Sequence, residues 1–211
     1  MEDYAKAIYA LQEDGEPVST TALAQRLNVT PASASGMVRK LAELGLATHE
    51  RYRGVRLTER GTQLALEMVR HHRLLELFLA ESLGVPWDRV HDEAEVLEHV
   101  LSEELEALIA AKLGHPTHDP HGDPIPSADL ELAPDDTACL SSLEPGAEAT
   151  IVRISDADPE ILRYLAERDI TPGAHVRVVD RQPFGGPLFV EVGGETHALG
   201  GQLATAMRVR V

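Results

Sequence analysis

Thr30-Pro31-Ala32-Ser33-Ala34-Ser35-Gly36-Met37-Val38-Arg39-Lys40-Leu41-Ala42-Glu43-Leu44-Gly45 reads as one helix with both ends marked. Threonine is a favoured N-cap, because its hydroxyl accepts from a backbone N–H that the first turn leaves unpaired. Proline suits the first helical position, where its missing N–H costs nothing. Gly45 supplies the stop, and Val38, Leu41 and Leu44 give an apolar face to a helix from about Ala32 to Leu44. Working outward, residues 2–13 read as a helix with Ile8 and Leu11 in the core, and Gly15-Glu16-Pro17-Val18 as a turn. Ser19-Thr20-Thr21 can cap a short helix through Arg26, and Asn28-Val29-Thr30-Pro31 is a tight break. Downstream lie two strand-like runs, Leu46–Arg51 and Gly54–Leu57, joined at Arg53-Gly54, and then Thr58-Glu59-Arg60-Gly61 opens a long helix towards Leu79. This order is a winged helix-turn-helix, whose helix after the turn enters the DNA major groove. The candidate DNA-facing residues are the small Thr30, Ala32, Ser33, Ser35 and Gly36, which let a helix approach base edges. Behind them stand Arg39 and Lys40, suited to phosphates, and Arg51, Arg53 and Arg56 arm the wing.

Beyond the wing, Pro86–Leu113 reads as a further helix and residues 114–146 as loops rich in proline and histidine. The pattern then changes to short alternating strands at Ala149–Ile154, His175–Asp180, Phe189–Val192 and Met207–Val211, with a helix at Glu160–Glu167. Five or so short strands between Gly/Pro turns predict a small SH3-like β-barrel. The expected class is therefore α+β and multidomain. A winged helix-turn-helix occupies 1–62, a helical dimerisation and metal-binding domain 63–126, a linker 127–145 and the SH3-like domain 146–211.

The 211 residues suffice for more than one small core, and 43% hydrophobic content is that of a globular protein. No apolar run approaches the roughly 20 residues of a membrane span. Met1-Glu2-Asp3-Tyr4 lacks the basic and apolar regions of a signal peptide, so a cytoplasmic location is expected. The single cysteine, Cys139, excludes an internal disulfide and a thiolate zinc cluster. A net charge of −16 argues against nucleic-acid binding by the whole chain, but it is unevenly spread. Residues 1–75 carry ten Lys and Arg against nine Asp and Glu, so the acid lies elsewhere and the first third stays open to DNA.

The second informative stretch is His91-Asp92-Glu93-Ala94-Glu95-Val96-Leu97-Glu98-His99. On a helix, His91, Glu95, Glu98 and His99 fall on one stripe. Such a stripe repels itself unless a cation neutralises it, and imidazole with carboxylate is a common ligand set for first-row metals. The alternative is a solvated acidic face. His72 and Glu76 similarly share a face of the preceding helix.

The chain resembles the diphtheria toxin repressor family of metal-dependent transcriptional regulators along essentially its whole length. The resemblance rests on Glu2-Asp3-Tyr4 with Ile8-Tyr9, Arg53-Gly54-Val55-Arg56-Leu57-Thr58, His72-Arg73-Leu74, Val90-His91-Asp92-Glu93-Ala94, Glu98-His99 and Gly122-Asp123-Pro124-Ile125-Pro126. It implies a homodimer that binds double-stranded operator DNA when loaded with Fe(II) or Mn(II). It implies one metal site at Asp3, Glu95, Glu98 and His99, and a second at His72, Glu76 and His91 with help from the linker or the C-terminal domain. Iron-responsive members carry methionine where Asp3 stands and cysteine where Glu95 stands. Hard oxygen donors at both positions favour Mn(II), with Fe(II) as the other candidate. Lys6 departs from the short manganese regulators, which carry another acid there. Asp119 and His121 fall where some manganese-responsive relatives place a ligand pair, and Asp156 and Asp158, just after the first barrel strand, could complete the shell. The implied mechanism is metal tying the N-terminus to the helical domain, which fixes the spacing of two recognition helices. Two rivals stand beside it: an HD-type phosphohydrolase using His72 and His91-Asp92, and a winged-helix regulator with a non-metal effector.

Overall fold

The computed structural model describes residues 1–12, 16–50 and 53–211. The chain forms two compact units. The first comprises Met1–His72, Glu98–Leu101 and Pro126–Glu131; the second comprises Arg73–Leu97, Ser102–Ile125 and Leu132–Val211.

In the first unit, helices α1 (Glu2–Leu11), α2 (Thr20–Arg26) and α3 (Pro31–Glu43) precede an antiparallel hairpin of β1 (Ala47–Glu50) and β2 (Gly54–Leu57). Thr30 is the cap that the sequence proposes, accepting from the Ser33 N–H, and of Ser19-Thr20-Thr21 it is Ser19 that caps α2, accepting from the Ala22 N–H. Between α2 and α3, Asn28 takes a left-handed φ of 50°, a conformation asparagine tolerates well. Ile8, Leu23, Val38 and Leu41 are fully buried and pack with Val18 and Val55. Val18 exchanges two backbone hydrogen bonds of 2.9 Å with Val55, laying the segment before α2 against the wing. This needs glycine at 54: its φ is 113°, and a Cβ there would sit 2.5 Å from the Val18 carbonyl oxygen. The predicted end of the first helix at residue 13, the turn at Gly15 and the wing residue Arg51 lie outside the described residues.

Helix α4 runs Glu59–Leu83, one turn beyond the expected end. The single helix expected over Pro86–Leu113 is corrected. Helix α5 covers Val90–Leu97, Glu98–Val100 form a 3-10 turn, and α6 covers Glu103–Lys112. Ser102 makes the break, since its backbone is extended and its hydroxyl accepts from the Leu105 N–H. Glu103, Glu104 and Glu106 then fill a first turn where the helix dipole favours acid. Glu98 and His99 therefore do not continue an α-helical stripe from His91 and Glu95.

The second unit also holds a six-stranded antiparallel sheet of SH3-like kind in the order β3-β8-β4-β5-β6-β7. Its strands are β3 (Ala138–Cys139), β4 (Glu148–Ile154), β5 (His175–Arg181), β6 (Leu188–Val192), β7 (Glu195–Leu199) and β8 (Met207–Arg210). Four correspond to predicted strands; β3 and β7 are additional. Breaks in register within the β4–β8 and β5–β6 ladders help the sheet curl. Its core includes Leu140, Ile151, Ile154, Leu162, Leu165, Val190 and Met207, with helix α7 (Pro159–Ala166) packed on it and the short α8 (Gly201–Thr205) before β8. Among the described residues no helix is long and apolar enough to cross a membrane.

Candidate metal centres and nucleic-acid interface

Helix α3 buries Ala34, Val38 and Leu41 and leaves Thr30, Ala32, Ser33, Arg39 and Lys40 exposed, with Ser35 and Gly36 half-buried. A Cβ on Gly36 would meet nothing within 4 Å, so the fold itself does not ask for glycine there. Arg53 is exposed on the wing, 3.2 Å from Glu50 Oε2, and Arg56 lies 3.9 Å from Glu16. A face of small residues flanked by cations is what a groove-reading helix needs.

In the first unit, Asp3 on α1 meets Glu98 and His99 of the 3-10 turn. One ligand atom of each lies within 4.8 Å of the others. His99 Nε2 is 2.9 Å from Asp3 Oδ1 and 3.8 Å from Glu98 Oε1, while its Nδ1 lies 2.8 Å from Glu2 Oε2. Asp3 Oδ1 is buried and makes no hydrogen bond of acceptable geometry. Glu98 is 1% exposed. Its oxygens accept from Lys6 Nζ at 2.7 and 2.9 Å, and Oε2 lies 2.5 Å from His72 Nδ1. Burial pushes the Glu98 carboxyl up, but the hydrogen bonds from His72 and Lys6 outweigh it and hold the group below the usual range. Glu2 and the Lys6 partnership with Glu98 were not anticipated as parts of this site; Glu2 stands beside Asp3, which was the available signal.

In the second unit, Glu76 on α4 is 1% exposed and faces two imidazoles. Its Oε1 is 3.3 Å from His91 Nδ1 and its Oε2 is 4.0 Å from His121 Nδ1. His91 also meets Asp156 at 3.1 Å and Glu95 at 3.9 Å. Hydrogen bonds to Asp156 and Glu76 raise His91 to about 10, and the same contact with His91 holds Asp156 below the usual range against its burial. Glu76, Asp119 and His121 form a further grouping with ligand atoms within 4.8 Å, all three buried. Asp119 Oδ1 accepts from the His121 and Asp123 N–H groups. Burial first, then the Asp123 and Glu76 charges, push the Asp119 carboxyl well up against the pull of Arg73.

His121 is fully buried, and its ring orientation is fixed. Nε2 donates to the Trp87 carbonyl at 2.7 Å and the ring stacks on Trp87. That places a proton on Nε2, and Nδ1 is a buried atom without a hydrogen-bond partner. A buried imidazole nitrogen facing carboxylates suits a cation. Gly122, at φ 87°, lets this loop pass so close to β4 that a Cβ would overlap the Val152 carbonyl. Asp158 instead caps α7, accepting from the Glu160 N–H, and enters no such grouping among the described residues. Every donor named is oxygen or nitrogen.

Three family profiles cover most of the chain: "Iron dependent repressor, N-terminal DNA binding domain" at residues 1–55, "Iron dependent repressor, metal binding and dimerisation domain" at 58–127 and "FeoA domain" at 138–211. The chain is 32% identical to the iron-dependent repressor IdeR of Mycobacterium tuberculosis, over 99% of this chain and 95% of that protein. It is 29% identical to the diphtheria toxin repressor of Corynebacterium diphtheriae, over 99% and 95%. Among solved structures it is similar to a manganese-dependent transcriptional repressor in complex with manganese (47% identity, TM-score 0.92, 99% and 98% coverage). It is also similar to the manganese regulator SloR (30% identity, TM-score 0.80, 99% and 97%).

Proposed function

Because the chain belongs to the family of iron-dependent repressors that includes IdeR and the diphtheria toxin repressor, we propose that it represses transcription as a metal-dependent, operator-binding homodimer that responds to Mn(II) in preference to Fe(II). The observation that carries the reading is the convergence of Asp3, Glu98 and His99. Asp3 stands 95 and 96 positions from the adjacent Glu98 and His99 in sequence, yet the three place ligand atoms within 4.8 Å of one another. When bound, a divalent cation supplies the positive charge and the directional coordination that these carboxylates and the imidazole lack. Asp3 and Glu98 offer hard oxygens, and Glu95, retained on the family resemblance, offers another. No sulfur enters the set, which favours manganese over softer metals. The manganese complex of a 47% identical relative supports the same preference.

Asp3 lies on the helix that opens the DNA-binding unit. Shared ligation with Glu98 and His99 would hold that helix and restrain fraying of the N-terminus. The favoured conformation then presents α3 and the wing, with Arg39, Lys40 and Arg53 on phosphates. Chain segments that bind metal better in the DNA-competent state make each ligand tighten the other. Glu76, His91, Asp119, His121 and Asp156 form the second ligand region, with His72 attributed to it by resemblance. Dimerisation is supported by exposed apolar side chains on α5 and α6, with Val96 71% and Leu108 62% exposed. Asp92 is exposed and enters none of the ligand groupings among the described residues, so nothing favours the phosphohydrolase reading.

The test is a gel shift on DNA upstream of the chain's own gene with Mn(II), Fe(II), Zn(II) or chelator. Retardation with Mn(II) that chelator reverses, and that His99→Ala abolishes, is expected. Equal retardation with and without metal would overturn the reading.

A further inference from the structure

We propose that Lys6 is a built-in competitor for the metal: its ammonium pairs with the Glu98 carboxylate and must leave before that carboxylate can ligate. The inference rests on the metal reading of Asp3, Glu98 and His99 and adds a residue that sets the threshold of the response.

The geometry is that of an occupied ligand. Lys6 Nζ lies 2.7 Å from one Glu98 oxygen and 2.9 Å from the other, so it straddles the carboxylate. His72 Nδ1 takes a further position on Oε2 at 2.5 Å. Lys6 stands three residues after Asp3, on the same face of α1, so the ammonium comes from the helix that also supplies a ligand. A carboxylate this buried needs a positive partner, and Lys6 helps to provide one. A dication ligated by Asp3, Glu98 and His99 would lie within a few ångströms of that ammonium, where like charges repel strongly. The lysine can yield: its side chain is 19% exposed and its four-carbon stem can carry the charge out to water. Loading is thus an exchange of a monocation for a dication on one carboxylate, and part of the binding free energy goes into displacing Lys6.

Two substitutions push in opposite directions. Lys6→Gln removes the charge and keeps most of the length, so the metal-free state loses the competing pair and the loaded state does not. Lys6→Arg offers a planar fork that grips a carboxylate through two parallel hydrogen bonds and should be harder to dislodge. Mn(II) affinity is measured on the purified full chain by the electron paramagnetic resonance signal of free aqueous Mn(II), and thermal melting is followed with Mn(II) and with chelator. K6Q should bind Mn(II) about 10- to 100-fold more tightly at the site that His99→Ala removes, the range set by a charge-assisted hydrogen bond. Its metal-free form should melt lower than wild type, with Mn(II) closing the gap. K6R should bind more weakly than wild type. Affinity that is unchanged or weaker in K6Q overturns the role of Lys6; if K6Q does not fold without metal, unchanged or tighter binding by K6R does so. If His99→Ala removes no Mn(II) site from the wild-type chain, the metal reading of these three residues itself falls.

Discussion

Glu98→Gln should destabilise the metal-free protein and also remove its response to metal, although one side-chain oxygen and the shape are retained. The Glu98 side chain is fully buried and pairs with Lys6 and His72. Removing one member of a buried ion pair typically costs about 3–5 kcal/mol, because the survivor is left uncompensated. Here Lys6 is 19% exposed and can turn to water, and the glutamine oxygen can still accept from Lys6 or from the buried His72, so about 2 kcal/mol is expected. For a chain of this size that corresponds to a melting point lower by roughly 4–8 °C. His99 is one-third exposed, so His99→Ala should melt within about 0.5 kcal/mol of wild type. The carboxyl is held below its ordinary value of 4.5 in the folded state, so its contribution is present at neutral pH and is lost as pH falls below 4.5 through the folded value. Differential scanning calorimetry in chelator, from pH 7 down to acid, measures the gap between wild type and E98Q. Added Mn(II) should then raise the melting point of wild type at neutral pH but raise that of E98Q or H99A much less. A variant that melts with wild type at neutral pH, or a gap that persists undiminished at low pH, would refute the ion-pair account.

Gly36→Ala should raise thermal stability by about 0.5–1 kcal/mol, since alanine is the better helix residue and the added Cβ meets nothing, yet weaken operator binding; a variant that is stabilised and binds equally well would remove Gly36 from the DNA face. Arg39→Ala and Arg53→Ala should each weaken DNA binding and flatten the log–log salt dependence by roughly one unit per lost phosphate contact, on random DNA as on operator. Loss confined to operator would instead make the residue a reader of bases. Asp3→Met combined with Glu95→Cys should raise the Mn(II) needed for half-maximal DNA binding under anaerobic conditions while the Fe(II) requirement falls or holds. An unchanged ratio in a well-folded double variant would place selectivity elsewhere. Trp87 is the chain's single tryptophan and stacks on His121 with centroids 5.6 Å apart, so paramagnetic Mn(II) at that ring should quench its fluorescence, and His121→Ala should abolish the quenching. Equal quenching in the variant would place the ion away from His121.

The winged unit was legible because its signals are local. Ser19, Thr30 and Pro31 act on the turn they begin, and the apolar spacing of α3 survives folding unchanged. The helix break at 98–102 was also written locally, in Ser102 followed by three acids within four residues, but apolar periodicity running through it conceals the start signal. Strand β7 was missed because Glu195-Thr196-His197 lacks apolar alternation, although Gly193-Gly194 before it is a hairpin turn. Strand β3 is only two residues long. The pairing of Lys6 with Glu98 spans 92 positions, and no local rule reaches that far.

The docking of the His121 loop on the sheet bears on modularity. The Ile154 N–H donates to the His121 carbonyl, Gly122 lies against Val152, and Asp156 follows from the same strand to meet His91. The sheet is thus no detachable accessory to the ligands around Glu76. A chain shortened before residue 138 could retain the winged helix with Asp3, Glu98 and His99, but it would lose Asp156 and the strand on which the His121 loop is docked. A variant without the sheet would keep Glu76, His91, Asp119 and His121 in its sequence but would lack both a carboxylate that meets His91 and the backbone partner of the His121 loop.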